Sequence, residues 1–203
     1  YRDAGVFYVV VIWAEGQQIR KQLGLPPKHF HITLSRVDKH DVDKGIGTLF
    51  PGQFPSQPTS EFLDHLVYTL QAFGDYHEAQ RYSINLVQAS PGGHKGFLRL
   101  ADAAYANQAF KLAMLAYARA YDRAKDGKIE SFCLKKLVTC SKHTEWGAVF
   151  QEQEVAQVPA EIASVLVAPW SPTLRQALAD LAPTPSLQLE PRQALYIPKS
   201  LDS

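Results

Sequence analysis

The strongest constraint on the fold is a self-similarity of the sequence at an offset of 34 residues, from about Glu61 to Phe150. The offset aligns apolar or small residues with one another: Leu66 with Leu100 and Leu134, Leu70 with Ala104 and Val138, and Ala79 with Ala113 and Gly147. The small residue falls near the start of the second helix of each unit, where the helices of a hairpin cross closely. The repeat predicts a stack of antiparallel helical hairpins, with two clear units and a degenerate third.

The clearest unit has small and aromatic residues in three segments, Phe97–Tyr105, Phe110–Ala113 and Tyr117–Tyr121. With these positions it resembles the tetratricopeptide family. The resemblance implies a scaffold that holds a protein partner or an adjacent domain. Thr59 and Ser60, followed by an acidic residue, have the composition of a helix cap and first turn, so the first helix is expected to begin there.

Aromatic and cationic side chains on these helices allow two interpretations each. Tyrosines at helical spacing are more often core or groove-lining residues than a platform for stacking bases. The aromatic set is Tyr105, Tyr117, Tyr121 and Trp146. The cations either line a concave groove for an acidic peptide or form a solvated face. The cationic set is Arg99, Lys111, Arg119 and Arg123.

A small α/β unit precedes the repeats. The apolar run Phe7–Trp13 lacks polar alternation and predicts a central strand covered on both faces. Residues 17–23 have helical spacing and end at Gly24, and the segment 29–35 alternates as a half-buried strand does. A strand–helix–strand unit of this size needs further strands, and Val165–Val167 is a candidate.

The second strand carries a His-x-Thr-hydrophobic motif, His31-Ile-Thr33-Leu. A histidine can pass a proton to or from a phosphate ester oxygen, and a threonine two residues along the same face can donate a hydrogen bond to a phosphoryl oxygen. His31 and Thr33 are therefore the predicted catalytic residues. His29 and Ser35 share their face and are the predicted substrate-binding residues. The alternative is an ordinary half-exposed strand without chemistry.

This motif, with the strand and helix before it, resembles the two-histidine phosphoesterase family, whose members include cyclic phosphodiesterases acting on RNA ends. The family uses a second His-x-Thr, which this chain lacks. The chain begins with Tyr1 instead of Met, so we expect a fragment of a longer protein, and a lobe upstream is one place where the second motif could lie.

The combination of the motif, a Phe-Pro linker and the repeats resembles the central portion of the fungal Swiss Army Knife RNA repair proteins, in which such modules are joined to a dual-specificity-type phosphatase. This resemblance implies processing of RNA ends, for example 2′,3′-cyclic phosphates, with RNA carrying a terminal phosphate as partner. The alternative is a non-catalytic interaction module, whose repeats dock a protein or a neighbouring phosphatase domain and whose single motif is a relic.

Composition narrows the classes of partner. Lys and Arg number 21 against 20 Asp and Glu, so no net field attracts nucleic acid or an anionic membrane. The longest apolar run is short of the roughly 20 residues that cross a bilayer, so no membrane partner is predicted. The two cysteines, Cys133 and Cys140, are interpreted as small buried hydrophobes and weakly favour a cytoplasmic or nuclear, intracellular location. No cofactor or metal is predicted.

The sequence therefore predicts an α+β fold in three parts: a two-histidine phosphoesterase-like unit in residues 1–57, tetratricopeptide-like repeats in 58–157, and a proline-rich segment in 158–203 that packs on the rest. The proline-dense stretch 51–58 marks the first boundary. The last part is expected to contain one helix, Pro172–Leu181, and a brief apolar run, Leu195–Ile197, that suits an edge strand.

Overall fold

A computed structural model describes residues 2–3, 6–36, 39–49, 58–144 and 158–181 of the 203-residue chain. The described part is α+β, as predicted, with a small antiparallel sheet followed by a helical hairpin array. The strands are β1 (Arg2–Asp3), β2 (Val6–Val11) and β3 (Phe30–Thr33). The helices are α1 (Ala14–Gln22), α2 (Ser60–Phe73), α3 (Tyr76–Ala89), α4 (Lys95–Ala106), α5 (Phe110–Arg123), α6 (Gly127–Cys140), α7 (Ala163–Leu166) and α8 (Pro172–Leu181), with short 3-10 turns at Ile46–Thr48 and Ala160–Ile162.

The sheet has the order β1-β2-β3, so β2 is the middle strand of the described sheet. Both pairings are antiparallel, and β2 meets β3 with Val10 opposite His31 and Tyr8 opposite Thr33. Helix α1 connects the two longer strands, and Gly24 follows it at a φ of +67°, where a residue without Cβ is favoured. The predicted strand–helix–strand unit and its glycine stop are confirmed.

One face of this sheet is exposed. Because facing residues of paired strands lie on the same side, Phe7, Val9, Ile32 and Leu34 share a face, and they are 44–65% exposed. Val6 and Tyr8, on the other face, are buried. The expectation that β2 is covered on both faces is therefore wrong. His31 and Thr33 lie on the same face of the sheet as the buried Tyr8.

Helices α2 to α6 follow the predicted repeat. Helix α3 occupies 76–89 and α5 occupies 110–123, the same 14 residues displaced by the repeat offset. Helix α2 begins where predicted, because the Thr59 side chain accepts a hydrogen bond from the Phe62 N–H at 3.1 Å. None of the described helices is both long enough and apolar enough to cross a membrane.

The first two units bury their aligned residues, but in the third Val138 is 40% exposed and Leu134 is only half-buried. Helix α2 packs on α3, α3 on α4, α4 on α5, and α5 on α6. The small residues Ala79 and Ala113 are fully buried, as the close crossing requires. Gly147 and Trp146, which the repeat assigns to the third unit, lie outside the described residues.

Gly96 in α4 marks a close approach that the repeat alone did not identify. A Cβ built on Gly96 would lie 3.0 Å from the Val87 backbone nitrogen and 3.1 Å from Val87 Cγ2 in α3. A Cβ on Gly127, at the start of α6, would meet nothing within 4 Å. The two glycines therefore differ in packing although both lie in helices.

We expect Gly96→Ala to lower the free energy of unfolding by about 1–2 kcal/mol, because overpacking exceeds the gain in helix propensity. Gly127→Ala is the matched control and is expected to leave stability unchanged or to raise it slightly. Urea unfolding followed by circular dichroism measures both. Equal stability of Gly96→Ala and wild type would contradict the close α3–α4 crossing.

The segment after the repeats is helical where a strand was expected. Val165–Val167 was a candidate strand, but Val165 and Leu166 belong to α7, so that prediction is wrong. Leu166 is buried against α5, and this tertiary contact outweighs the β-propensity of two valines. Helix α8 has the predicted bounds, and Leu174 in it is buried in the same core. Leu195–Ile197 lies outside the described residues.

Arg119 fixes this segment to α5. Its side chain is 1% exposed, and it donates hydrogen bonds to the carbonyls of Leu166 at 3.0 Å and of Ala168. Its guanidinium lies 3.9 Å from the centre of the Trp170 ring and forms a 3.0 Å ion pair with Asp122. The interpretation of Arg119 as a groove-lining or solvated cation is therefore wrong, because backbone acceptors from distant residues allow it to be buried.

Candidate functional site

The His-x-Thr motif lies on β3, the last strand of the sheet. His31 and Thr33 project from the same face, and His31 is exposed while Thr33 is half-buried. Side chains two residues apart on a strand are about 7 Å apart at the backbone. A tetrahedral phosphate group is small enough to contact both side chains at once.

His29 connects the start of this strand to the helical array. Its ring stacks on Phe73, the last residue of α2, with centroids 4.0 Å apart and planes 4° from parallel. Its Nδ1 accepts a hydrogen bond from the Ile46 N–H at 3.2 Å, and Gly45 lies so close that a Cβ there would be 2.9 Å from the imidazole. These contacts with Phe73, Gly45 and Ile46 orient His29 and the start of β3.

Ser35 lies just beyond the strand. Its backbone N–H donates to the carbonyl of Phe7 at 3.3 Å, which continues the pairing with β2 past the end of β3. Ser35 is half-buried. The four predicted site residues are thus held on one short segment, with His29 anchored at one end and Ser35 at the other.

Apolar contacts join the α/β unit to the first hairpin. Ile12 after β2, together with Ile46 and Leu49 in the loop after β3, packs against a buried cluster contributed by α2 and α3. Gln17 in α1 is buried, and its side-chain amide exchanges two hydrogen bonds with the backbone of Lys28, at 2.6 and 3.1 Å. The position of the motif is therefore determined by α1 and α2 as well as by the sheet.

Two other histidines contact side chains of the helices. His65 in α2 lies 3.5 Å from the carboxylate of Glu15, and His143 stacks on Phe110 with centroids 4.3 Å apart. Within the described ranges, no three His, Cys, Asp or Glu side chains are grouped so that they could hold a metal ion.

A groove lies between α1 and the first helices of the repeats, α2, α4 and α6. One part of it, of about 510 Å³, is lined by Glu15, Asp64, Asp102, Lys95 and Arg99 among others. A second part, of about 450 Å³, extends towards the ends of α2 and α4 and is lined mainly by aromatic and cationic side chains. A groove on the repeats was one of the two interpretations of their cations, whereas the contribution of α1 to it was not expected.

The aromatic and cationic sets of the repeats have separate roles in the structure. Tyr117 and Tyr121 are buried in the core, so neither is a stacking platform for bases. Tyr105 is half-buried and lines the groove. Arg99 also lines the groove, where it forms a 2.7 Å ion pair with Asp64.

Tyr117, although buried, also lines the second part of the groove. The hydroxyl donates a 2.5 Å hydrogen bond to the Asp102 carboxylate. Burial, followed by the nearby charge of Asp102, raises the pKa of Tyr117 well above its usual value. Tyr117 therefore remains a neutral donor to Asp102 at any ordinary pH.

The two cysteines are buried and carry no disulfide, as predicted. Burial is the main cause that raises the pKa of Cys133 to about 12 and of Cys140 to about 11. Such thiols are poor nucleophiles at neutral pH. Because both pKa values are higher in the folded state, the two thiols contribute fully to stability below pH 9.0, the pKa of an ordinary thiol. This contribution is lost as the pH rises from 9.0 towards 11 and 12.

We expect both thiols to resist iodoacetamide at pH 8 in the folded protein, since a pKa of about 12 leaves roughly one thiolate in ten thousand for Cys133. The same reagent in urea serves as the control and should alkylate both. Mass spectrometry counts the adducts. Rapid alkylation of the native protein would contradict the burial of α6 on α5.

A family model described as the Swiss Army Knife 2H phosphoesterase domain matches residues 2–41. The matched segment contains all of the sheet, α1 and the motif His31-Ile-Thr33, and it ends before the helical repeats. Neither a curated protein nor a solved structure matches the chain. The N-terminal segment is thus similar to a 2H phosphoesterase domain, and a helical hairpin array follows it.

Proposed function

We propose that the N-terminal module processes RNA ends that carry a 2′,3′-cyclic phosphate. In this proposal His31 is the general acid or base and Thr33 donates a hydrogen bond to a phosphoryl oxygen. The observation that carries the proposal is the position of both side chains on one face of β3, within the segment that matches the phosphoesterase family model.

The reaction is a hydrolysis of one P–O bond. Water attacks phosphorus, the ring bond to one ribose oxygen breaks, and a phosphomonoester with a neighbouring hydroxyl results. One proton leaves the attacking water and one reaches the departing ribose oxygen. With a single His-x-Thr motif, His31 supplies one of these transfers and solvent supplies the other, so we expect slow turnover.

The helical array acts as a scaffold in this proposal. The stacking of His29 on Phe73 and the packing of Ile12 and Ile46 on the first hairpin support it, because these contacts hold the histidine strand against the array. His29 and Ser35, near the two ends of the strand segment, are the substrate-binding residues in this proposal.

A product analysis of the wild-type protein tests the proposal. An oligonucleotide ending in a 2′,3′-cyclic phosphate is expected to gain the mass of one water, and the product should lose its phosphate to an added phosphomonoesterase. The same oligonucleotide with a linear 3′-phosphate should remain unchanged. No ring opening of the cyclic phosphate after prolonged incubation at high protein concentration would contradict the proposal.

A further inference from the structure

The aromatic part of the groove has the composition of a base-stacking site. Five aromatic and three cationic side chains line it, and we call it the aromatic–cationic pocket after them: Tyr68, Tyr76, Tyr105, Tyr117 and Phe132 with Lys21, Arg99 and Lys136. Its volume of about 450 Å³ is large enough for a nucleotide. Phe132 is 40% exposed, so part of its ring is open to a ligand.

The cations of the pocket lie against its rings. The Arg99 guanidinium is 4.9 Å from the centre of the Tyr68 ring, and Lys136 Nζ is 5.8 Å from the Tyr105 ring and 5.5 Å from the Phe132 ring. A base stacked on one of these rings would therefore have a cation within reach of its own phosphate. The 2.7 Å ion pair with Asp64 holds Arg99 in this position.

Charge distinguishes the pocket from the rest of the groove. Three cations and one carboxylate, Asp102, line it. The adjoining part of the groove is lined by three carboxylates, Glu15, Asp64 and Asp102, against two cations. An anionic ligand is therefore attracted to the pocket at the ends of α2 and α4 and is repelled from the other part.

Side-chain amides that could bind a peptide backbone are already used within the protein. An extended peptide gains much of its affinity from hydrogen bonds to its main chain. The Gln71 side-chain amide, which lines the pocket, already donates to the Arg99 carbonyl at 2.9 Å. Asn107, at the end of α4, donates to the carbonyl of Tyr76 and to Gln80. The rings and ammonium groups are what the pocket offers a ligand, and they suit bases and phosphates.

The pocket lies beside the histidine strand. Ala72 lines it, and the next residue, Phe73, stacks on His29, two positions before His31. Lys21 belongs to α1, the helix that connects β2 to β3. A strand of RNA in the pocket is therefore close to the start of the strand that bears the motif.

We propose that the aromatic–cationic pocket binds the last nucleotides of single-stranded RNA by stacking and by phosphate contacts. This inference rests on the proposed function, because the bound nucleotides are those that precede the cyclic phosphate of the proposed substrate. Binding itself requires neither His31 nor a cyclic phosphate.

Fluorescence anisotropy with a 5′-labelled ten-nucleotide RNA ending in a 3′-hydroxyl tests the proposal, because such a ligand offers no bond for the phosphoesterase reaction. Phe132→Ala is expected to weaken binding roughly 5- to 100-fold, the effect of one lost base stack. Lys136→Gln is expected to weaken binding and to reduce the slope of log affinity against log salt by roughly 0.7. Lys128→Gln, an exposed position on the same helix, is the matched control and should bind as wild type does.

A thermal unfolding transition establishes that each variant is folded. If Phe132→Ala is not folded, the binding of Lys136→Gln still decides the test. Wild-type affinity in both pocket variants, or no RNA binding by the wild type, would overturn the proposal. An acidic peptide of equal charge that binds more tightly than the RNA would overturn it in favour of a protein partner. Retained RNA binding without ring opening of a cyclic phosphate would refute the proposed function alone.

Discussion

Arg119→Ala is expected to lower the free energy of unfolding by about 3–5 kcal/mol, the usual cost of removing one partner of a buried ion pair. The variant removes the donors to the carbonyls of Leu166 and Ala168 and the contact with the Trp170 ring. It also leaves Asp122, whose side chain is 10% exposed, without its cation. Arg119 is 1% exposed, and burial lowers its pKa, as is expected of a guanidinium removed from water.

Arg175→Ala is the matched control. Arg175 is exposed and donates a single hydrogen bond to the Trp170 carbonyl at 3.1 Å, so its removal should change stability by no more than about 0.5 kcal/mol. Urea unfolding with a shared slope m measures both variants. A midpoint of Arg119→Ala equal to that of wild type would mean that Arg119 does not hold residues 166–170 against α5.

The helices of the array could be predicted because their information is local and repeated. Thr59 caps α2, the offset places α3 and α5 on equivalent residues, and α8 has the bounds that its flanking prolines indicate. Ala79 and Ala113 are buried because a helix crossing admits little more than a methyl group. The repeat thus specifies both the elements and the contacts between neighbours.

The sheet and the last segment could be predicted only in part, because distant contacts decide them. The pattern of β2 does not say which face the helices cover, and the structure leaves Phe7 and Val9 exposed. A run of three residues at Val165 is too short to distinguish a strand from a helical turn, and the packing of Leu166 on α5 decides it. Arg119 is buried because acceptors almost fifty residues away meet it, which no local pattern reveals.

In the candidate site, too, local features could be predicted and distant contacts could not. The alternation of the strand was enough to predict that His31 and Thr33 share a face, and the pairing of β2 with β3 agrees. The contacts of His29 with Phe73 and Ile46 depend on α2 and on the loop after β3, so sequence could not anticipate that this residue anchors the strand. The catalytic and substrate-binding roles of the four residues stay predictions.

His31→Ala is expected to lower the rate of cyclic-phosphate hydrolysis by about 10²–10⁴-fold, the contribution of a positioned general acid or base. The substitution should leave stability nearly unchanged, since His31 is exposed on an edge of the described sheet. Unaltered thermal unfolding of the variant therefore separates a loss of chemistry from a loss of structure. His77→Ala, at an exposed position in the first turn of α3, is the matched control and should keep the wild-type rate.

The most direct test of a phosphoesterase-like module in which His31 acts is the initial rate of ring opening of a 2′,3′-cyclic-phosphate oligonucleotide, measured side by side for wild type, His31→Ala and His77→Ala. We expect ring opening by wild type and by His77→Ala, and a rate at least about 10²-fold lower for His31→Ala. Equal rates in all three proteins would contradict this expectation.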